Sequence, residues 1–224
     1  MEGVLYLVGL LLVLGSQLLV SVSYSKYKKI KNKATISGFD VAREILDKNG
    51  LNDIHIVETN GNLTDHYDPS KKVVRLSKDI FHGTSIASMA VAAHECGHAL
   101  QDKDGYKFMR IRAALVPTVN ISTRAGYIAL VIGLLFSSKN LALFGVALLA
   151  VMLLFQLVTL PVEFNASNRA KKELNKMEKV SSKEEDGVSK MLLAAALTYV
   201  ASVINEALQI FRLLLIASNS NRRR

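Results

Sequence analysis

Apolar and polar positions are unevenly spread along this chain. Val4 to Val22 is an uncharged apolar run, long enough as a helix to cross a hydrocarbon core of about 30 Å. A charged stretch follows, from about residue 25 to 112. Apolar runs then return at Ala113 to Phe136, Leu141 to Leu160 and Met191 to Ala217. The Leu141–Leu160 run has Gln156 as its most polar residue. The run before it includes Pro117, Asn120 and Arg124, and the last includes Asn205, Glu206 and Arg212. Only Ser137 to Asn140 separate the middle two, which predicts an antiparallel helical hairpin. The pattern predicts three to four transmembrane helices, with 191–217 either spanning or lying in the interface.

The charged stretch reads as a small α+β module. Ser37 or Thr35 caps a helix running to about Asn49, with Phe39, Ala42, Ile45 and Leu46 on one face and Gly50 as its stop. Strands are expected at Ile54 to Glu58, Leu63 to Tyr67 and Lys72 to Leu76. With Asn60-Gly61 and Asp68-Pro69 as turns, the natural arrangement is a short antiparallel sheet. Thr84 to Gln101 reads as a buried helix. The polar interval Asn165 to Lys190 reads as helix plus loop. Five parts follow: an anchor at 1–24, the module at 25–112, the hairpin at 113–162, a polar segment at 163–190 and an apolar helix at 191–224.

Charge changes this picture by giving it sides. The net charge of +9 includes five lysines among the eight residues Lys26 to Lys33, directly after the first apolar run. That placement is a positive-inside signal or a contact with anionic lipid, and it puts the N-terminus outside. A cleaved signal peptide fits poorly, because the basic residues come after the run and Glu2 precedes it. If all four runs span, the lysine-rich 26–33 and 171–183 intervals share the cytoplasmic side. Arg222, Arg223 and Arg224 then fall outside, against the trend. Because the lysines directly follow an apolar run, they are better read as a membrane signal, and no nucleic-acid partner is expected. Cys96 is the only cysteine, which excludes an intramolecular disulfide.

The chemistry is concentrated in His94-Glu95-Cys96-Gly97-His98. Histidines four apart on a helix project from one face and suit a single zinc ion, one per chain. Glu95 points beside the metal, where it can act as general base toward a zinc-activated water. Cys96 points away from the shared histidine face and reads as a small buried residue. The third ligand has two readings. Asp104 lies six residues after His98, although Gln101 stands where such proteases use glycine. Glu163 follows Pro161 at the end of an apolar run, and the proline suits a helix start. A helix-dipole role is its plainer explanation. His66 and Tyr67 lie on an expected edge strand, where an extended polypeptide can pair and either side chain can meet an oxyanion. Asn165, Asn168 and Arg169 follow Glu163, placed to orient a ligand or assist the oxyanion. His55 and His82 read as structural or solvated, and Glu206 with Arg212 as an intramembrane or interfacial pair.

The segments His94 to Gln101, Leu160 to Ala170, Asp65 to Pro69 and Ala195 to Val200 together resemble the YugP-type neutral zinc metallopeptidases, a group of bacterial membrane proteases. The chain is also distantly similar to HtpX-type membrane proteases, whose third ligand is a glutamate followed by an aromatic residue. The resemblance implies that Glu163 is the third zinc ligand, with Phe164 the aromatic. Ser167 and Asn165 stand where aspartates are expected. The expectation is a gluzincin-like zinc endopeptidase, membrane α-helical with a zincin-like module. It would sit in the plasma membrane, face the cytoplasm and cleave polypeptide near the bilayer. A membrane zinc-binding scaffold without proteolysis is the alternative.

Overall fold

The computed structural model describes residues 2–177 and 180–219. The terminal arginines 222–224, and residues 178 and 179 of the second lysine-rich interval, lie outside the described residues. The chain is mostly helical, in the order α1 (Glu2–Lys28), α2 (Gly38–Lys48), β1 (His55–Thr59), β2 (His66–Asp68), β3 (Val73–Ser77), α3 (Lys78–Phe81), α4 (Ile86–Lys103), α5 (Lys107–Leu135), α6 (Lys139–Asn175) and α7 (Ser182–Asn219). Helices α1, α5, α6 and α7 are long and apolar enough to cross a membrane.

Two compact units emerge. One contains the described parts of residues 1–17, 107–161 and 197–224. Its core joins Leu130, Ala142, Val146, Leu149 and Ala217. The expected hairpin is present as α5 and α6, and glycine sets its spacing. A Cβ at Gly133 would meet the Ala142 amide nitrogen at 2.4 Å, and one at Gly145 would meet the Leu130 nitrogen at 2.5 Å. Small residues let helix backbones approach this closely.

The second unit contains residues 18–106 and 162–196. Helix α2 starts at Ser37, not Thr35. Asp40 N–H donates to Ser37 Oγ and Ser37 N–H donates back to Asp40, a reciprocal cap that satisfies two otherwise orphaned donors. Gly50 just beyond the helix has φ +68°. Val41, Ala42, Ile45 and Leu46 form its buried face, so Val41 rather than the half-buried Phe39 completes it.

The sheet departs from the expected antiparallel meander. Its order is β1-β3-β2, with β1 parallel to β3 and β2 antiparallel to β3. Burial explains the order. Four of the five β3 residues are buried, including Val74 and Leu76, whereas β1 and β2 carry exposed positions suited to edges. Asp65 accepts hydrogen bonds from Ser77 N–H (2.6 Å) and Oγ (3.0 Å), clamping the start of β2 to the end of β3. Asn60-Gly61 therefore opens a longer crossover loop instead of closing a two-residue hairpin.

Helix α4 is capped by Ser85 Oγ, which accepts from Ser88 N–H, and it is buried over most of its length. A further departure concerns α6. Pro161 does not begin a helix but lies inside one that runs to Asn175. Glu163 is therefore a mid-helix residue, and the helix-dipole explanation for it fails.

Candidate metal centre

The centre forms where α4 meets α6. A Cβ at Gly97 would lie 2.4 Å from the Ala166 carbonyl oxygen, so only glycine allows this approach without a shift. The flanking Ala93, Val162, Ala166 and Ala170 are fully buried. His94 and His98, one turn apart, then face Glu163 on the opposing helix. Their rings sit edge to face with centroids 4.8 Å apart. Glu163 Oε2 lies 3.3 Å from His94 Nε2 and 3.6 Å from His98 Nε2. One ligand atom from each of the three falls within 4.8 Å of the others.

The far side of each ring is also engaged. Ser167 Oγ lies 3.2 Å from His94 Nδ1, and Gln101 Oε1 lies 3.0 Å from His98 Nδ1. With both Nδ1 atoms occupied, both Nε2 atoms turn toward the carboxylate. Two imidazole nitrogens and one carboxylate oxygen, in apolar surroundings, suit zinc better than an oxygen-seeking ion and leave a fourth position open. On this chemistry the donor set fits zinc.

Glu95, on α4 between the histidines, is 7% exposed. Burial pushes its carboxyl above the ordinary range; the His94 and His98 rings oppose this, and Glu163 adds to it. Burial alone would lower the His98 pKa, but its hydrogen bond to Glu163 and the nearby Glu95 charge outweigh that and raise it.

Other sequence-predicted residues separate into groups. Asn165 and Arg169 join the centre's surroundings: Asn165 Oδ1 accepts from Gln101 Nε2 at 3.0 Å and from Arg169 Nε at 2.8 Å. Asn168 is exposed. Asp104 caps the C-terminus of α4 and pairs with Arg169 at 2.5 Å, outside the three-residue cluster. His66 and Tyr67 do lie on an edge strand, yet Tyr67 donates its hydroxyl to Asp102 (2.9 Å) and the exposed His66 bonds the Thr64 carbonyl. Cys96 is fully buried, its Sγ 3.6 Å from the Ala42 carbonyl oxygen, and burial pushes its thiol up. His82 bonds Glu58 on the exposed surface. Arg212, in the other unit, hydrogen-bonds Gln209 and stacks on Tyr6.

Gln101, Ser167 and Gly97 received no role from the sequence. Gln101 had one legible signal: three residues after His98, it shares that helix face. Ser167 occupies a place where an acid is expected, and it contacts a histidine there.

No solved structure gives a match. The family described as "Putative neutral zinc metallopeptidase" matches residues 3–218. The "Putative membrane protease YugP" of Bacillus subtilis (strain 168) is 41% identical over 204 residues, covering 91% of each chain. With its match running almost end to end, and His94, His98 and Glu163 gathered on two packed helices, the chain belongs to the neutral zinc metallopeptidase family.

Proposed function

We propose that this protein is a multi-pass zinc endopeptidase of the plasma membrane, with its active site at the cytoplasmic surface. The observation that carries the reading is the convergence of His94, His98 and Glu163 within 4.8 Å, with the buried Glu95 beside them. These three residues would hold one zinc ion, which supplies Lewis acidity toward a water and a peptide carbonyl. Glu95 takes the proton of the attacking water and returns it to the departing amine. The arrangement is zincin-like: a metal-binding helix beside a small sheet. Strand β2 offers an open edge for an extended polypeptide, whose main chain would supply most of the hydrogen bonding. His66, Tyr67 and Arg169 are the candidates for substrate or oxyanion contact. Lysines 26–33, with those of the 171–183 interval, set the cytoplasmic side by the positive-inside rule and favour anionic lipid.

The test is metal content and casein cleavage for wild type, Glu95→Gln, Glu163→Ala and Asp104→Ala. Zinc lost in Glu163→Ala but kept in Asp104→Ala supports the ligand set, and the reverse result overturns it. Zinc in the wild type without cleavage by wild type or Glu95→Gln would favour a scaffold.

A further inference from the structure

Gln101 is completely buried, and every polar atom of its amide is used. Its Nε2 donates to the main-chain carbonyl of Val162 at 2.7 Å and to Asn165 Oδ1 at 3.0 Å. A main-chain carbonyl only accepts, so the amide cannot be reversed without setting oxygen against oxygen. Asn165 is pinned in the same way. Its Oδ1 faces Arg169 Nε, a group that only donates, as well as Gln101 Nε2. Arg169 is in turn anchored by Asp104, at the more exposed end of the chain of contacts. Both amides therefore have one allowed orientation, and the series ends with Gln101 Oε1 facing His98 Nδ1 at 3.0 Å.

An amide oxygen accepts and does not donate. Whatever faces it must carry a proton, so His98 Nδ1 is an N–H, and Nε2 is the nitrogen that faces Glu163 and would take a metal. We infer that Gln101 is a positioning residue, which together with Asn165, Arg169 and Asp104 keeps a proton on His98 Nδ1 and leaves Nε2 as the nitrogen available to a metal. The inference rests on the zinc reading only for its consequence on affinity. The Nδ1 proton itself belongs to the protein.

Polarity makes an asymmetric demand on two substitutions of nearly identical shape. Asn165→Asp keeps an oxygen where both neighbours donate. Gln101→Glu puts an oxygen against the Val162 carbonyl and Asn165 Oδ1, both acceptors. Gln101 is fully buried and Asn165 only partly so, and the uncharged Gln101→Met therefore separates lost polarity from the cost of a buried charge.

The experiment uses the full chain in detergent or nanodiscs. It measures zinc affinity by chelator competition, the visible spectrum of the cobalt form, and melting of the metal-free protein. Nitrogen-15 shifts of His98 in the metal-free protein report which of its ring nitrogens carry protons. Gln101→Glu and Gln101→Met are expected to lose about 10- to 100-fold in zinc affinity, with an altered cobalt spectrum. Asn165→Asp is expected to stay within about threefold of wild type, since it retains both accepted hydrogen bonds. Equal losses in Gln101→Glu and Asn165→Asp, or a loss confined to Asn165→Asp, would overturn the inference. If wild type binds no zinc, the metal reading fails, and the shifts still decide. A protonated Nδ1 in wild type that is lost or shared with Nε2 in Gln101→Met supports the positioning role. An unprotonated Nδ1 in wild type, or the same Nδ1 protonation in both proteins, refutes it.

Discussion

Gly97 on α4 and Ala166 on α6 approach so closely that a Cβ on residue 97 would stand 2.4 Å from the Ala166 carbonyl oxygen. This contact sets the distance between the histidine pair and Glu163. Backbone on the far side cannot move aside as a flexible side chain can. Gly97→Ala should therefore push the helices apart, costing about 1–3 kcal/mol as overpacking does. Loss of stoichiometric zinc together with a lower melting temperature is the expected result. Wild-type zinc content in Gly97→Ala would show that the spacing matters less than the geometry indicates.

Glu95→Gln separates binding from chemistry. The amide has nearly the same shape, and Glu95 is not one of the three clustered ligands. Zinc content should stay at the wild-type level while peptide cleavage falls about a hundred- to ten-thousandfold, the usual worth of a positioned proton acceptor. Metal analysis and a quenched-fluorescence peptide assay on the same sample check both halves.

Ser167 holds the outer nitrogen of His94 by a single contact of 3.2 Å. Ser167→Ala should weaken zinc binding by about tenfold, the lower end for outer-shell partners. Ser167→Asp places a charged acceptor there and should bind zinc at least as tightly as wild type. Competition titration ranks the three proteins, and an alanine variant indistinguishable from wild type would remove Ser167 from the account.

The loop carboxylate Asp65 yields a pH prediction. Burial raises its folded-state pKa, and the hydrogen bonds from Ser77 only partly offset this. A carboxyl with a raised folded pKa destabilises the fold when ionised, and this penalty disappears as pH falls through the folded value toward the unfolded one. Asp65→Asn keeps an acceptor for Ser77 without the charge. It should melt at or above the wild-type temperature near neutral pH, with the gap closing toward acid. Melting curves across pH 4 to 8 test this, and a gap that widens toward acid would reverse the sign.

Much of the fold was legible because local chemistry decides it. Ser37 was one of two caps legible for α2, and the structure chose it by adding Asp40 as its reciprocal partner. The apolar runs and the short link at 137–140 foretold the α5–α6 hairpin. The β1–β3 pairing was not legible. Asn60-Gly61 suggested a hairpin, but the Asp65–Ser77 bonds and the burial of β3 act between residues distant in sequence. Pro161 misled for a related reason. Proline disfavours a helix interior, and α6 nevertheless continues through it as far as Asn175.

His94, Glu95 and His98 needed only the sequence, because a four-residue spacing on a helix places two imidazoles on one face whatever surrounds them. Glu163 stood out through family resemblance, with Asp104 a rival on spacing alone. Tertiary structure removed Asp104 from the cluster by pairing it with Arg169, and brought Glu163 to within 3.6 Å of both imidazoles. It also decided the parts played by Gly97, Gln101 and Ser167. Each acts across the α4–α6 contact, through a close approach or a hydrogen bond whose partner lies 60 or more positions away. Helical periodicity describes one helix at a time, and the direction of a side-chain amide is set only when its distant neighbours arrive.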